Sequence, residues 1–178
     1  MPEDPRPRSR FENVVNALEV PFQDYSDPSG RFGAGSREIG EAAGAVDLGY
    51  NLTLVKPGAR SNPFHFHHAE EEAFYILEGH GVLRQGDEKS GEERIAIRAG
   101  DVVAFPAGTG IAHQFINESD APLVYLAIST RERLDVAEYP DSDKVNVRST
   151  RLIVRRSPRL DYLDGETRAG PQHAGSAP

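Results

Sequence analysis

The sequence predicts an all-β fold, and three observations point to it. Short runs of apolar and β-branched residues follow one another at close, even spacing through the middle of the chain. Turn signals that contain Gly, Pro or Asn separate these runs. No stretch has a convincing helical period, and 129–136 has only a weak one. Many short strands divided by turns are typical of a β-sandwich or β-barrel.

The N-terminal segment is predicted to be an arm outside this barrel. Residues 1–10 are rich in Pro and Arg, and we expect them to be disordered. Scattered apolar residues across 11–25 suit a segment that lies on the outside of a domain. The Gly-Ala-Gly segment at 33–35 has no third glycine and no lysine, so we interpret it as a flexible loop. We therefore assign residues 1–35 to a partly disordered arm.

The central region contains eight predicted strands, and we assign residues 36–135 to the barrel. The strands are Leu48–Val55, Pro63–Phe66, Ala73–Leu77, Gly81–Arg84, Arg94–Ile97, Val102–Phe105, His113–Ile116 and Val124–Ser129. Among the separators are Pro57-Gly58, Gly79-His80-Gly81, Gly86-Asp87 and Pro106-Ala107-Gly108.

The C-terminal part has a looser pattern. Residues 138–144 are predicted to form an ordered loop, with strands at Val145–Val147 and Leu152–Val154. We assign 136–168 to an extension packed on the barrel. The small, polar residues 169–178 are expected to form a disordered tail, in which His173 is not a ligand candidate.

Composition limits the sites and partners that the chain can have. It has no Cys, and its single Met is Met1, so a metal would be held by imidazole, carboxylate or water. A net charge of -8 and a pI of about 5.2 argue against a nucleic-acid or anionic-membrane partner. No apolar run approaches the ~20 residues needed to span a bilayer, and no signal peptide is recognisable. We expect a cytoplasmic protein.

Two histidines in the stretch 57–79 suggest a metal site. His65 and His67 stand two residues apart, so on an extended strand both imidazoles leave by the same face. Two imidazoles followed within a few residues by a carboxylate can close three sides of a metal site. A fourth ligand must come from elsewhere in the chain, and His113 is the candidate.

The carboxylate ligand is a question of register within the acidic run 70–72. Strand parity places Glu72 on the same face as the apolar residues of the strand that follows, so Glu72 is expected to point inward. Glu70 and Glu71 then fall in the turn, where solvent exposure is the simplest expectation. Glu71 remains open as an alternative ligand.

Two segments together resemble the paired motifs of the cupin superfamily, over roughly 48–129. The first segment carries Gly58, His65, His67, Glu72 and Gly79, and the second carries Gly100, Pro106, Gly108, His113 and Asn117. The spacing departs from the family pattern between 58 and 65 and across 109–112, both in turns, where insertions are tolerated. Segments beyond the barrel resemble those of small single-domain cupins of unassigned function.

This resemblance implies a double-stranded β-helix, the cupin or jelly-roll barrel, with N- and C-terminal extensions. It maps His65, His67, Glu72 and His113 onto the ligands of one divalent transition metal, such as Zn, Mn, Fe or Ni. It also implies a homodimer and a small-molecule ligand or substrate.

The resemblance limits the function of the protein less closely than it limits the fold. The resemblance implies a metal-dependent enzyme acting on a small polar metabolite such as a sugar or an organic acid, of the isomerase or epimerase, decarboxylase or dioxygenase type. The catalytic residues are unknown: for a general acid or base the sequence offers only Glu71, His68 and Tyr75. The alternative is a binding or sensing module without turnover. A purely structural barrel ranks third, because four unsatisfied ligands in a dry interior would be costly.

Other polar residues are expected to have structural roles or to line a cavity. We interpret His80 as structural or exposed, and Asn117 as the source of a turn or edge hydrogen bond. The residues that could line a cavity, on faces that the sequence does not fix, are Tyr50, Asn51, Thr53, Ser61 and Arg84.

Overall fold

The computed structural model describes residues 13–166, and their fold is all-β as predicted. The expectations for residues 1–10 and 169–178, including His173, lie outside the described residues. The strands are β1 (Gln23–Asp24), β2 (Ala34–Arg37), β3 (Gly49–Val55), β4 (Phe66–His67), β5 (Glu72–Glu78), β6 (His80–Asp87), β7 (Gly91–Arg98), β8 (Val102–Phe105), β9 (Ala112–Ile116), β10 (Leu123–Ser129), β11 (Val136–Tyr139), β12 (Lys144–Val147) and β13 (Leu152–Arg155). One short helix, α1 (Ile39–Ala42), precedes β3, and single 3-10 turns lie at Pro140–Ser142 and Arg148–Thr150.

The first layer is one antiparallel sheet with the strand order β1-β2-β3-β10-β5-β8. Strand β10 sits at its centre and pairs along its whole length with β3 and β5. Residues far apart in the sequence are therefore neighbours here, and Glu72 at the start of β5 lies opposite Ser129 at the end of β10.

The second layer is built from the ladders β7-β6-β9 and β4-β11-β12-β13. His65 and His113 join the two ladders, because their backbone groups exchange hydrogen bonds of 3.2 and 2.8 Å. Residues directly opposite each other on antiparallel strands project their side chains from the same face. The backbone thus places two of the predicted ligands side by side.

The hydrophobic core fills the space between the layers. Ile76 and Tyr125 come from the first sheet, and Leu83 and Phe115 come from the second. Phe74 packs edge-on against Phe115, with their ring centroids 4.8 Å apart. Such aromatic pairs add to the free energy gained from apolar burial. The predicted ligands of both layers are attached to this core.

Asn117 is fully buried and has the structural role that the sequence suggested. Its side-chain amide donates to the carbonyls of Val55 at 2.9 Å and Ala121 at 2.8 Å, and its oxygen accepts from the N–H of Ser119. It therefore ties the turn between β9 and β10 to the end of β3.

Several local predictions are wrong. His80 belongs to β6 rather than to a turn, and the hairpin after β6 turns at 88–90 instead of at Gly86-Asp87. Gly86 stays paired in the ladder, where backbone from Gly91 approaches so closely that a Cβ would clash. The weak helical period at 129–136 produces no helix, and Arg131 takes a left-handed φ of 48° that interrupts one. Strands β1, β2 and β11 and the short α1 were not predicted. Residues 34–35 and 138–139, which were interpreted as loop, belong to β2 and β11.

No helix in the described part of the chain is long and apolar enough to cross a membrane.

Candidate metal centre

The structure brings the four predicted ligands together. His113 Nε2 lies 3.1 Å from Glu72 Oε2, and His67 Nε2 lies 3.5 Å from the same oxygen. The ring of His65 is 4.7 Å from that of His113 and 5.0 Å from that of His67, measured between centroids. Ligand atoms of His65, His67 and Glu72 all lie within 4.8 Å of one another, and His113 adjoins this trio through Glu72.

The arrangement fits a divalent transition metal. Glu72 Oε2 is buried, and no hydrogen bond of normal geometry reaches it although two imidazole nitrogens are close. A buried carboxylate oxygen in this state costs free energy unless a cation or a donor satisfies it. Imidazole and carboxylate ligands without a thiolate suit Zn, Mn, Fe or Ni.

His65 is held in a form that can bind a metal. His65 Nδ1 lies 2.7 Å from the carbonyl of Pro63, which can only accept, so Nδ1 carries the proton and Nε2 keeps its lone pair. Burial, followed by the charge of His113, lowers the pKa of His65 to about 3. His65 is therefore a neutral imidazole at about pH 7.

The carboxylate is ionised. Burial acts to raise the pKa of Glu72, but the close approach of His113, with His65 and His67 nearby, outweighs burial and lowers the pKa to about 2. The buried carboxylate and the three imidazoles together form a set of electron-pair donors that carries little positive charge. Such a set attracts a cation.

One residue in contact with a ligand was missed by the sequence analysis. Asp135, which precedes β11, is 2% exposed, and its Oδ2 lies 2.6 Å from His67 Nδ1. It follows the barrel strands by several residues and belongs to no recognisable spacing. Only the three-dimensional path of the chain reveals the contact.

Burial within the acidic run 70–72 differs in part from the prediction. Glu72 points inward, but Glu70 is buried, at 4% exposure, so the expectation that it is solvent-exposed is wrong. The guanidinium of Arg148 pairs with the carboxylate of Glu70 and offsets the free-energy cost of burying it. Glu71 is exposed, and its backbone N–H donates to Thr130 Oγ1.

None of the three acid–base candidates from the sequence faces the site. Glu71 is exposed, and His68 is exposed with its Nε2 2.9 Å from Glu138. Tyr75 lies between the inward-facing Phe74 and Ile76 on β5, so its half-exposed ring points outward. His80 is exposed, as expected.

The ligands open onto a cavity of about 100 Å³ inside the barrel, lined in part by His65, Glu72 and His113. Asn51, Thr53 and Ser61, which were suggested as lining residues, are among its walls. Tyr25, Gln114 and Tyr125 also line it and were not foreseen.

A wider opening of about 290 Å³ adjoins the first cavity, because Asn51, Glu72 and Ala127 line both. His67, Tyr50, Arg131 and Arg148 also contribute to the opening. Arg84 lies elsewhere: its guanidinium stacks on Phe64 at 3.9 Å and pairs with Asp141.

Known proteins resemble this chain in sequence and in fold. The family model described as the cupin domain matches residues 51–129. Two solved structures that span most of this chain are a proposed sugar phosphate isomerase from Acidithiobacillus ferrooxidans and a sugar phosphate isomerase described as cupin-superfamily from Silicibacter pomeroyi. The first is 28% identical with a TM-score of 0.73, covering 84% of this chain and 96% of that one. The second is 28% identical with a TM-score of 0.69, covering 85% and 98%.

A third similar structure is more distant. It is from Thermotoga maritima, described as an oxalate decarboxylase by prediction, and is 25% identical with a TM-score of 0.55. The similarity covers 66% of this chain and 97% of that one. No curated protein matches the chain in sequence.

Proposed function

Residues 51–129 form a cupin domain, and from this premise we propose that the protein is a metal-dependent isomerase of a small phosphorylated sugar. The observation that carries the proposal is the convergence of His65, His67, Glu72 and His113 at the wall of a cavity with polar walls. The two relatives that span most of the chain, both described as sugar phosphate isomerases, support this reaction over decarboxylation.

The cavity has the chemistry that a hydroxylated substrate needs. Asn51, Thr53 and Ser61 offer amide and hydroxyl groups that both donate and accept hydrogen bonds. Thr53 Oγ1 donates to Asn51 Oδ1 at 2.6 Å, which orients both side chains. A divalent ion bound by the four ligands would polarise a carbonyl or hydroxyl oxygen of the substrate.

Isomerisation moves a proton between neighbouring carbon atoms, so it needs an acid or a base at the cavity. Tyr25 and Tyr125 are the ionisable cavity-lining residues, in the described part of the chain, that are not proposed ligands. Burial raises the pKa of both phenols, so each holds its proton at about pH 7. Tyr125 is enclosed in the core, whereas Tyr25 is half-exposed at the rim. We assign Tyr25 as the acid that protonates the carbonyl oxygen of the substrate, while the ionised Glu72 on the same cavity takes the proton from the neighbouring carbon and returns it to the other carbon.

Two arginines of the wider opening are the groups that would contact a phosphate. Arg131 and Arg148 line it together with His67 and the carboxylates of Glu38, Glu41, Glu70 and Glu72. Arg148 is engaged by Glu70, but Arg131 has no ion pair with another described residue. Arg131 is therefore the residue that would take the phosphate.

The direct test is conversion of aldose and ketose phosphates by the protein loaded separately with Mn, Fe, Ni and Zn, followed by NMR. We expect interconversion with at least one metal, and none with the matching unphosphorylated sugars. Tyr25→Phe should reduce the turnover rate by about 100-fold, within the usual range for a lost general acid. The matched change Tyr75→Phe, on the outer face of β5, should have no effect. Failure of every metal-loaded form to convert any sugar phosphate would contradict the proposal.

A binding module without turnover is the second candidate function. It is favoured by one observation: Glu71, His68 and Tyr75, the acid–base candidates from the sequence, all lie outside the cavity. In that case the metal-loaded protein would bind a sugar phosphate, as measured by calorimetry, and leave it chemically unchanged.

A further inference from the structure

A buried carboxylate behind the metal site uses both of its oxygens. Asp135 Oδ1 accepts the backbone N–H groups of Ala69 at 2.9 Å and Glu70 at 3.1 Å. Its Oδ2 lies 2.6 Å from His67 Nδ1. Since the side chain is almost entirely buried, these three donors take the place of water around it.

The contact with His67 determines which ring nitrogen carries the proton. An ionised carboxylate can only accept, so His67 Nδ1 is the donor. With Nδ1 engaged by Asp135, the nitrogen left for an ion is Nε2, the atom that faces Glu72 Oε2 at 3.5 Å. Histidines that bind metals commonly donate their second N–H to a carboxylate in this way.

The contacts with the backbone fix the turn between two ligands. Ala69 and Glu70 lie between His67 on β4 and Glu72 on β5. By accepting both N–H groups, Asp135 Oδ1 holds this connection in one shape. One carboxylate therefore controls the tautomer of one ligand and the path that leads to the next.

A second cation site made of His67, Glu70 and Asp135 is the competing explanation, because their ligand atoms also lie close together. The hydrogen bonds argue against it. Both oxygens of Asp135 are already occupied by N–H donors, and the carboxylate of Glu70 pairs with Arg148. The group is a hydrogen-bonded network that supports the site in front of it.

We propose that Asp135 is a positioning residue of the metal centre: it holds His67 as the Nδ1–H tautomer, so that Nε2 is presented to the ion. The proposal rests on the metal site within the proposed function, and it does not depend on which reaction the site performs.

Asp135→Asn separates the two roles of this side chain. The amide oxygen of Asn can still accept the two backbone N–H groups, but its NH₂ group faces His67 Nδ1 and can only donate. His67 must then carry its proton on Nε2, where it blocks metal binding. Asp135→Ala removes both roles. Asp101→Asn is the matched control, because Asp101 Oδ2 accepts the N–H of Arg98 in an exposed turn remote from the ligands.

Two readouts test the proposal. The affinity of the whole chain for Zn or Mn, measured by chelator competition, should fall about 10- to 100-fold in Asp135→Asn and stay unchanged in Asp101→Asn. Nitrogen NMR of the metal-free protein should show His67 protonated on Nδ1 in the wild type and on Nε2 in Asp135→Asn. Thermal unfolding should show that Asp135→Asn stays folded, with a larger loss of stability in Asp135→Ala.

Several results would overturn the assignment. A wild-type His67 protonated on Nε2 would do so without any variant. So would an Asp135→Asn protein that binds metal as tightly as the wild type, which would leave Asp135 only as a cap of the turn. If the wild type bound metal but converted no sugar phosphate, the proposed reaction would fail while Asp135 kept its role. If the wild type bound no metal, both would fail.

Discussion

Each proposed ligand reaches the site through the direction in which its strand projects side chains. His65 and His113 form an antiparallel bridge between two segments of the chain, and His67 follows His65 on the same face two residues later. Glu72 enters from the opposite layer, at the start of β5. Because all four are fixed by backbone pairing, the site is organised before any ion arrives.

Gly79 is a residue on which the register of β5 and β6 depends. Its φ is +80°, and a Cβ at this position would lie 2.4 Å from the carbonyl oxygen of Pro122. Gly79→Ala should lower the free energy of unfolding by at least about 3 kcal/mol, the sum of left-handed strain and an overpacked contact. Denaturant unfolding measures this loss.

Gly100 supplies the control for that prediction. It also has a positive φ, +96°, but a Cβ there would meet no atom within 4 Å. Gly100→Ala should therefore cost only the backbone strain, about 1–2 kcal/mol. Equal losses for the two variants would show that the contact with Pro122 does not constrain the turn.

At the residue scale the sequence supports some assignments and not others. Strand parity predicts that Glu72 points inward, because the alternation of side chains is a local property of β5. The burial of Glu70 depends on Arg148, which is 78 residues away in the sequence. The role of Asp135 depends on the backbone N–H of Glu70, which is 65 residues away. No local pattern contains that information.

The C-terminal extension is joined to the barrel through strands and ion pairs. Strand β11 pairs with β4, so Glu138 lies opposite Phe66. On the other side, Arg84 of β6 makes two hydrogen bonds, of 2.7 and 2.8 Å, to the carboxylate of Asp141. The extension is thus attached next to the strand that carries His67.

Asp141→Asn should weaken this attachment. The change removes one partner of a two-pronged, partly buried ion pair, and we expect a loss of about 1 kcal/mol in unfolding free energy. Amide hydrogen exchange should increase in β11 and β12. Glu118→Gln, which breaks the exposed pair with Arg94, should change stability by less than about 0.5 kcal/mol.

The same ion pair predicts a pH dependence. The hydrogen bonds from Arg84 hold the pKa of Asp141 below its ordinary value of 3.8. The folded protein therefore keeps this group ionised more readily than the unfolded chain does. Its stabilising contribution is complete above that ordinary value and is lost as the pH falls through the lowered folded pKa. Wild type and Asp141→Asn should converge in stability in this acid range, and a constant difference would contradict the account.

At the scale of elements the barrel strands and the C-terminal strands β12 and β13 were predictable, whereas β1, β2 and β11 were not. The runs from 48 to 129 alternate apolar residues with strong turn signals, and each overlaps an observed strand. The prediction Val102–Phe105 matches β8, whereas Pro63–Phe66 shares only Phe66 with β4. Strands β1 and β2 carry few apolar residues, with Gly35 in the middle of β2, and they exist because the edge of β3 offers partners. Such pairing follows from the tertiary fold rather than from local propensity.

The molecule as a whole exposes an apolar strand at the edge of its second layer. Leu152, Ile153 and Val154 of β13 are 49%, 59% and 42% exposed, so both faces of this strand meet solvent in the single chain. Exposed apolar edge strands are typical of contact surfaces. We expect β13 to be covered by a second copy of the chain, as the resemblance to small cupins implied.

Light scattering during size-exclusion chromatography tests this expectation. The wild type should elute as a homodimer, and Ile153→Glu should shift it toward the monomer because a charge would be buried in the interface. Leu77→Glu, a similar change on the half-exposed outer face of β5, should leave the dimer intact. A wild type that stays monomeric at high concentration would contradict the prediction.

The proposed function depends on one ion held by four residues from two layers of the molecule. Its most direct test is the metal content of the protein after reconstitution with Mn, Fe, Ni and Zn in turn, for the wild type, His113→Ala and the exposed-surface control His80→Ala. The account predicts one tightly held ion per chain in the wild type and in His80→Ala, and a large loss in His113→Ala. Equal metal content in wild type and His113→Ala, or no retained metal in any of the three, would contradict it.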